Sequence, residues 1–237
     1  MKIAIIGSSG GIGSALVKEL AQTYPLADIF AFSRKAQNFN SPLVKSYTIN
    51  YQEEESLRQS AHLVGENNTW DLVVVATGLL HDKDIQPERS FKELSVQKFQ
   101  KLFLVNTITP ALIAKHFIPK LNQKKRSVFA VLSARVGSIS DNRLGGWYAY
   151  RASKTALNMI VKNLAIEVRR KAPLNLIVGL HPGTVDSPLS KPFQKSIAKE
   201  KLFTAEESAQ KLIKVLKKLQ TKDSGKGFAW DGQEIPP

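Results

Sequence analysis

The stretch KIAIIGSSGGIG, residues 2–13, decides how the rest of the chain is read. KIAIIG (2–7) is a short apolar run, rich in β-branched residues, that ends in glycine, which is the pattern of a buried strand. Residues 12–23 then carry helical spacing at Ile12, Leu16 and Leu20. A strand, a glycine turn and a helix make one βα unit, and the alternation repeats. Further strands are expected at 27–33, 43–49, 71–78, 127–133, 174–180 and 227–230, with helices at 53–64, 95–121, 147–170 and 204–219. The strand segments are continuously apolar, as in DLVVVATG (71–78), so a parallel sheet covered on both faces is expected. The expected fold is a single α/β domain over residues 1–237. It is a doubly wound, Rossmann-type sheet of about seven strands. Such sheets bind ligands beyond the carboxyl ends of their strands.

Bulk properties narrow the field. With 43% hydrophobic and 23% charged residues, the composition is that of an ordinary globular chain. No apolar run approaches the length of a membrane span, and MKIAIIG is too short for a signal peptide. The absence of cysteine excludes disulfides and thiolate chemistry, and fits a cytoplasmic protein. His62, His81, His116 and His181 lack metal-ligand spacing, so no metal site is expected. The net charge of +14 favours anionic ligands. It reads either as a solvated basic surface or as attraction to nucleotides, nucleic acid or acidic lipid. No basic stripe is interleaved with aromatics, so neither a nucleic-acid nor a membrane partner is expected.

In GSSGGIG (7–13) the glycines Gly7, Gly11 and Gly13, with Ser9 and Ile12 between them, follow the first strand and open a helix. Glycine there permits a tight turn and lets backbone N–H groups approach a pyrophosphate. The plainer alternative is a turn without a ligand. The end of the second strand would read the ribose of a dinucleotide. It reads Ser33-Arg34-Lys35, with no acid for a free 2′-hydroxyl. A guanidinium suits a 2′-phosphate, so NADP(H) is expected in preference to NAD(H).

In WYAYRASK (147–154), Tyr150 and Lys154 begin a helix whose apolar stripe is Leu157, Val161, Leu164 and Val168. At about 100° per residue the six lie within about 40° of one line, so Lys154 faces the core. An ammonium beside a phenol lowers the phenol's pKa and suits it to acid–base work, and Lys154 is also placed to bind a ribose. A snorkelling lysine is the alternative. In the long helix, Pro110 has no N–H to offer the carbonyl of Asn106, which leaves that carbonyl without its usual helical partner.

These motifs in this order resemble the short-chain dehydrogenase/reductase family over nearly the whole chain. They are GSSGGIG, VATG, NTITP (106–110), YRASK and HPGTVDS (181–187). GLLHD, GGWYAYRASK and WDGQEIP are most similar to its C-factor and carbonyl-reductase branch. The resemblance implies hydride transfer between NADP(H) and a carbonyl or alcohol. Tyr150 would be the general acid/base and Lys154 its helper, with Asn106 holding a water. It also implies cofactor contacts from Asn50 and Tyr51, from Ala76, Thr77 and Gly78, and from Pro182, Gly183, Val185 and Ser187. Loops 79–90, 139–147 and 188–203 would shape the substrate pocket, and a homodimer or homotetramer would be the assembly.

One family position departs. The serine that orients the substrate oxygen stands three residues before a glycine, and counting back from Gly137 gives Ala134. Ser133, or else Ser138, is expected to serve in its place. This gap keeps open a second function, a cofactor-binding regulatory or signalling homologue with little turnover.

Overall fold

The computed structural model describes residues 1–66, 68–196, 198 and 201–237. Part of the expected loop 188–203 therefore lies outside the described residues. The main sheet has eight strands, not seven, in the order β10-β9-β6-β5-β4-β1-β2-β3. They are β1 (Lys2–Ile6), β2 (Asp28–Ser33), β3 (Val44–Thr48), β4 (Leu72–Val75), β5 (Ser127–Leu132), β6 (Asn175–His181), β9 (Gly227–Ala229) and β10 (Glu234–Ile235). Every pairing is parallel except β9 with β10. β10 is only two residues long and pairs antiparallel at the sheet edge, so it carries no apolar run that marks it in the sequence. A separate two-stranded parallel ribbon joins β7 (Thr184–Val185) to β8 (Leu202–Phe203).

The helices are α1 (Gly11–Thr23), α2 (Glu54–His62), α3 (Val96–Phe103), α4 (Thr109–Phe117), α5 (Tyr148–Lys171) and α6 (Ala205–Lys218). Ile3 and Ile5 of β1 pack with Leu16 and Leu20 of α1 and with Leu212 and Ile213 of α6 on one face. Ala4 and Ile6 turn to the other face, against α2, α4 and α5. This two-sided burial explains the continuous apolar strands. Each buried aliphatic side chain contributes roughly 1.5–3 kcal/mol. β4 and β1 are neighbours at the point where the chain reverses its direction across the sheet. That switch point is where such folds open a crevice.

The long helix expected over 95–121 is not uniform. Residues 104–108 form a π-helical turn between α3 and α4, in which Thr109 N–H donates to Leu104 O. Pro110 cannot supply an i+4 donor to residue 106, and the ladder slips to i+5 just before it. The span Val96–Lys120 is long and apolar enough to cross a bilayer by length and composition, although no such run was expected from the sequence. Half of its most apolar window is buried within the domain. Ile113 and Phe117 pack against the sheet, as in a core helix.

Candidate active site

The glycine loop lies at the switch point. Gly7 has φ +91°, and a Cβ there would stand 2.9 Å from the carbonyl carbon of Ala76. A Cβ on Gly13 would stand 2.2 Å from Gly7 O, so the helix start and the loop touch backbone to backbone. Gly11 differs, because the nearest atom to its Cβ would be Ser187 Cβ at 3.8 Å. That residue opens α1 and is exposed, so its lack of a side chain leaves room over the helix N-terminus. Ser9 is exposed and Ile12 half-buried beside it. The buried hydroxyls of Ser8 and Thr77 have no protein partner.

Arg34 is exposed at the end of β2, and Ser33 Oγ donates to Lys35 O at 2.6 Å. Tyr51 packs near Arg34. Burial pushes its phenol up to about 12, offset in part by the Arg34 charge and a backbone hydrogen bond from Gly7. Asn50 Oδ1 accepts from Gln52 N–H at 3.1 Å, which leaves its amide N–H groups available. Gly183 has φ +79° and lies against the Phe203 and Trp230 rings, and Ser208 Oγ donates to Pro182 O at 2.8 Å. Val185 is buried in β7. The structure thus brings Gly7, Gly11, Gly13, Ala76, Thr77 and Ser187 together at the switch point.

Tyr150 and Lys154 are both buried on the inward edge of α5, as their spacing requires. Lys154 Nζ donates to Leu132 O at 2.9 Å and lies 3.8 Å from where a Cβ on Gly78 would be. Burial lowers its pKa to about 8. Burial also pushes the Tyr150 phenol up to about 12, with no offsetting contribution from Lys154. The expected lowering of the phenol pKa is therefore corrected for this structure. The reason is enclosure of the ring.

Asn106 is fully buried in the π turn. Its Nδ2 donates to Leu79 O at 2.8 Å and to Ser153 Oγ at 3.1 Å, and its Oδ1 accepts from Leu79 N–H at 2.8 Å. Ser153 Oγ in turn donates to Tyr150 O at 2.7 Å. This chain ties the loop after β4 to the start of α5. Ser153 was not singled out from the sequence. Its signal was its place inside YRASK, between the two residues that were.

Ser133 does not join them. Its hydroxyl donates to Asn158 Oδ1 at 2.7 Å, and it lines a cavity of about 330 Å³ with Asn158 and His181 in whose wall Tyr150 has no part. Ser138 Oγ donates to Pro237 O at 3.3 Å and accepts from Asp141 N–H. Ala134 is the residue that packs in the cluster of Tyr150, with Leu80, Ile85 and Trp147. The expectation that Ser133 or Ser138 replaces the family serine is corrected accordingly, because both hydroxyls are bonded elsewhere, to Asn158 Oδ1 and Pro237 O. Glu88 also escaped the sequence reading. It is fully buried beneath the start of α5, with Oε2 accepting from Ala149 N–H at 3.3 Å and Oε1 unpartnered. No pattern in the sequence distinguishes it from a surface acid. Among the described residues no cluster of potential metal ligands occurs.

A glycine loop at the switch point of a doubly wound sheet, with a buried tyrosine and lysine one turn apart on a neighbouring helix and the lysine against Gly78, is the arrangement of a nucleotide-binding α/β fold. The profile of the family described as short chain dehydrogenase matches residues 1–198, and the chain belongs to that family of oxidoreductases. An uncharacterized oxidoreductase of Schizosaccharomyces pombe is 26% identical over 98% of this chain and 96% of its own length. The C-signal of Myxococcus xanthus is 30% identical over 57% of this chain and 76% of its own. The NADPH-bound carbonyl reductase from chicken fatty liver superposes with a TM-score of 0.84 at 24% identity, covering 100% of this chain and 94% of that one. Carbonyl reductase Sniffer of Drosophila melanogaster gives 0.84 at 22% identity, with 100% and 99% covered.

Proposed function

We propose that this protein is an NADP(H)-dependent carbonyl reductase in which Tyr150 delivers the proton to the substrate oxygen. The observation that carries the reading is the buried Tyr150–Lys154 edge, with Lys154 Nζ 3.8 Å from where a Cβ on Gly78 would stand, in the loop whose Ala76 and Thr77 touch Gly7. The crevice fits the cofactor on two grounds. Gly11 leaves an open approach to the N-terminus of α1, and the Ser8 and Thr77 hydroxyls are buried without partners. Gly7, Ser9, Gly11, Ile12 and Gly13 would hold the pyrophosphate, Arg34 a 2′-phosphate, Asn50 and Tyr51 the adenosine end, Ala76, Thr77 and Gly78 the floor, and Pro182, Gly183, Val185 and Ser187 the nicotinamide end. When bound, NADPH supplies the hydride. A phenol raised to about 12 by burial stays protonated across the neutral range, so it holds the proton that a carbonyl oxygen needs as hydride arrives. Lys154 would turn from Leu132 O to the ribose and hold the phenol's surroundings positive, and Asn106 would keep the loop after β4 in register with Tyr150.

The test is NADPH oxidation over a panel of aldehydes and ketones. Tyr150→Phe is expected to lower kcat by about 10²-fold or more while NADPH affinity holds. Equal rates in the two proteins would remove Tyr150 from the chemistry. Titration with NADH should give weaker binding than NADPH, and equal affinities would remove Arg34 from its role.

The alanine at position 134 favours one second reading, a cofactor-binding regulatory protein with little turnover. Tight NADPH binding with no turnover across the panel would establish it. We further propose a cytoplasmic homodimer or homotetramer, without nucleic-acid or membrane partners. Exposed Val96, Leu104 and Ile108 on the long helix, and Met159 and Ile166 on α5, supply apolar surface for subunit pairing. Light scattering would read the assembly, and a monomer at micromolar concentration would refute it.

A further inference from the structure

The site lacks a hydroxyl where the substrate oxygen needs a second donor, and the polar side chains nearby are already committed. Ser133 and Ser138 bond elsewhere, Asn106 and Ser153 bond each other and the backbone, and Lys154 bonds Leu132 O. One donor beside Tyr150 is uncommitted. Trp147 packs its ring edge-on to Tyr150, with centroids 6.2 Å apart, and among the described residues the indole N–H that donates to a protein acceptor is that of Trp70, not that of Trp147. It shares the cluster that contains Ala134.

The backbone at Trp147 is held in a conformation that a bulky residue seldom adopts. Gly145, Gly146 and Trp147 have φ +63°, +64° and +51° in succession, and a left-handed conformation at a tryptophan costs about 1–3 kcal/mol. Several contacts enforce it. Trp147 N–H donates to Glu88 O at 2.6 Å, and the Glu88 carboxylate accepts from Ala149 N–H. Arg151 Nε donates to both Gly145 O and Gly146 O at 3.1 Å. The ring also packs on Phe193 at 4.9 Å, and Phe193 packs on His81, whose Nε2–H donates to Pro188 O and Leu189 O. Strain held this firmly beside a reacting group serves to place a side chain.

Resting on the carbonyl-reductase reading above, we propose that the indole N–H of Trp147 is the second hydrogen-bond donor to the substrate carbonyl oxygen, in place of the hydroxyl absent at Ala134. Glu88 and Arg151 are positioning residues for it. Indole nitrogen is a donor only, so it polarises the carbonyl without competing for Tyr150's proton. Its ring at the same time offers a flat apolar wall, so the class of substrate is an apolar carbonyl compound with a planar group next to the carbonyl.

Trp147→Phe keeps an aromatic ring and removes the N–H. It is expected to lower kcat for benzaldehyde about 10²-fold, the cost of one lost oxyanion donor, with NADPH affinity unchanged. Adding Ala134→Ser to Trp147→Phe should restore kcat to within about tenfold of the wild type. A Trp147→Phe enzyme with more than a third of the wild-type kcat, or no gain from the added serine, would overturn the proposal. Where Trp147→Phe fails to fold, Trp147→His decides, since histidine tolerates left-handed backbone and keeps a ring N–H. A kcat within about tenfold of wild type then supports the indole as donor, and a loss of about 10²-fold or more overturns it. If instead Tyr150→Phe is fully active, the carbonyl-reductase reading fails, and that outcome is separate from the Trp147 comparison.

Discussion

Gly11→Ala is expected to leave the cofactor-free fold intact and to weaken NADPH binding by about 10²-fold or more, whereas Gly13→Ala is expected to destabilise the fold itself. The two positions differ in what a methyl group would meet. At Gly11 it meets only Ser187 Cβ at 3.8 Å, an ordinary van der Waals distance, and the backbone has no positive φ. Alanine is a better helix former than glycine, so the melting temperature of the free protein should stay level or rise slightly. The methyl would nevertheless project over the N-terminus of α1, where the pyrophosphate must approach the backbone closely. At Gly13 the methyl would lie 2.2 Å from Gly7 O and 2.9 Å from Gly7 C, both backbone atoms that cannot rotate aside. Overpacking of that kind costs about 3 kcal/mol, which lowers the melting temperature of a chain this size by roughly 6–12 °C. Thermal melts without cofactor and fluorescence titration with NADPH separate the two effects. A Gly11→Ala protein that binds NADPH as the wild type does would show that the crevice takes no pyrophosphate.

The parts of this site that could be read from the sequence are those that a period or a spacing encodes. The inward edge formed by Tyr150, Lys154, Leu157 and Val161 follows from helical geometry alone, and all four are buried. The strands β1, β4 and β5 are buried on both faces and so read as unbroken apolar runs. What escaped depends on contacts across the fold or on a one-residue choice of direction. Ser133 and Ala134 are adjacent, and only the end of β5 determines which of them faces Tyr150. Pro110 signalled a disturbed helix, but not that the ladder would slip into a π turn centred on Asn106. Glu88 is 61 residues from the backbone amide that it binds, so no local pattern marks it as buried. The lowered phenol pKa was inferred from proximity alone, and the structure adds the opposing effect of enclosure.

Lys154→Met is expected to make the cofactor-free protein more stable at neutral pH while lowering kcat/KM by about 10³-fold, because ribose contact and local positive charge are lost together. Lys154 is 3% exposed, and burial takes its pKa from an ordinary 10.5 to about 8. Below pH 8 the amine is charged in both folded and unfolded chains, and the full burial cost of about 3 kcal/mol is carried. Between 8 and 10.5 the unfolded chain holds a proton that the folded chain has released, so stability rises with pH across that window. Methionine removes the charge and fills similar space, but it leaves Leu132 O without its donor, a loss of about 1–3 kcal/mol. The net gain at pH 7 is then about 1 kcal/mol, or roughly 2–4 °C in melting temperature. The wild-type advantage of alkaline pH should vanish in the variant, since no group at that position titrates. Melting temperatures of both proteins from pH 6 to 10 check this, and a variant less stable than wild type at pH 7 would mean that the amine is retained for stability. The expected result instead makes Lys154 a charge kept in the interior at the expense of the fold, which is the mark of a residue held for its chemistry.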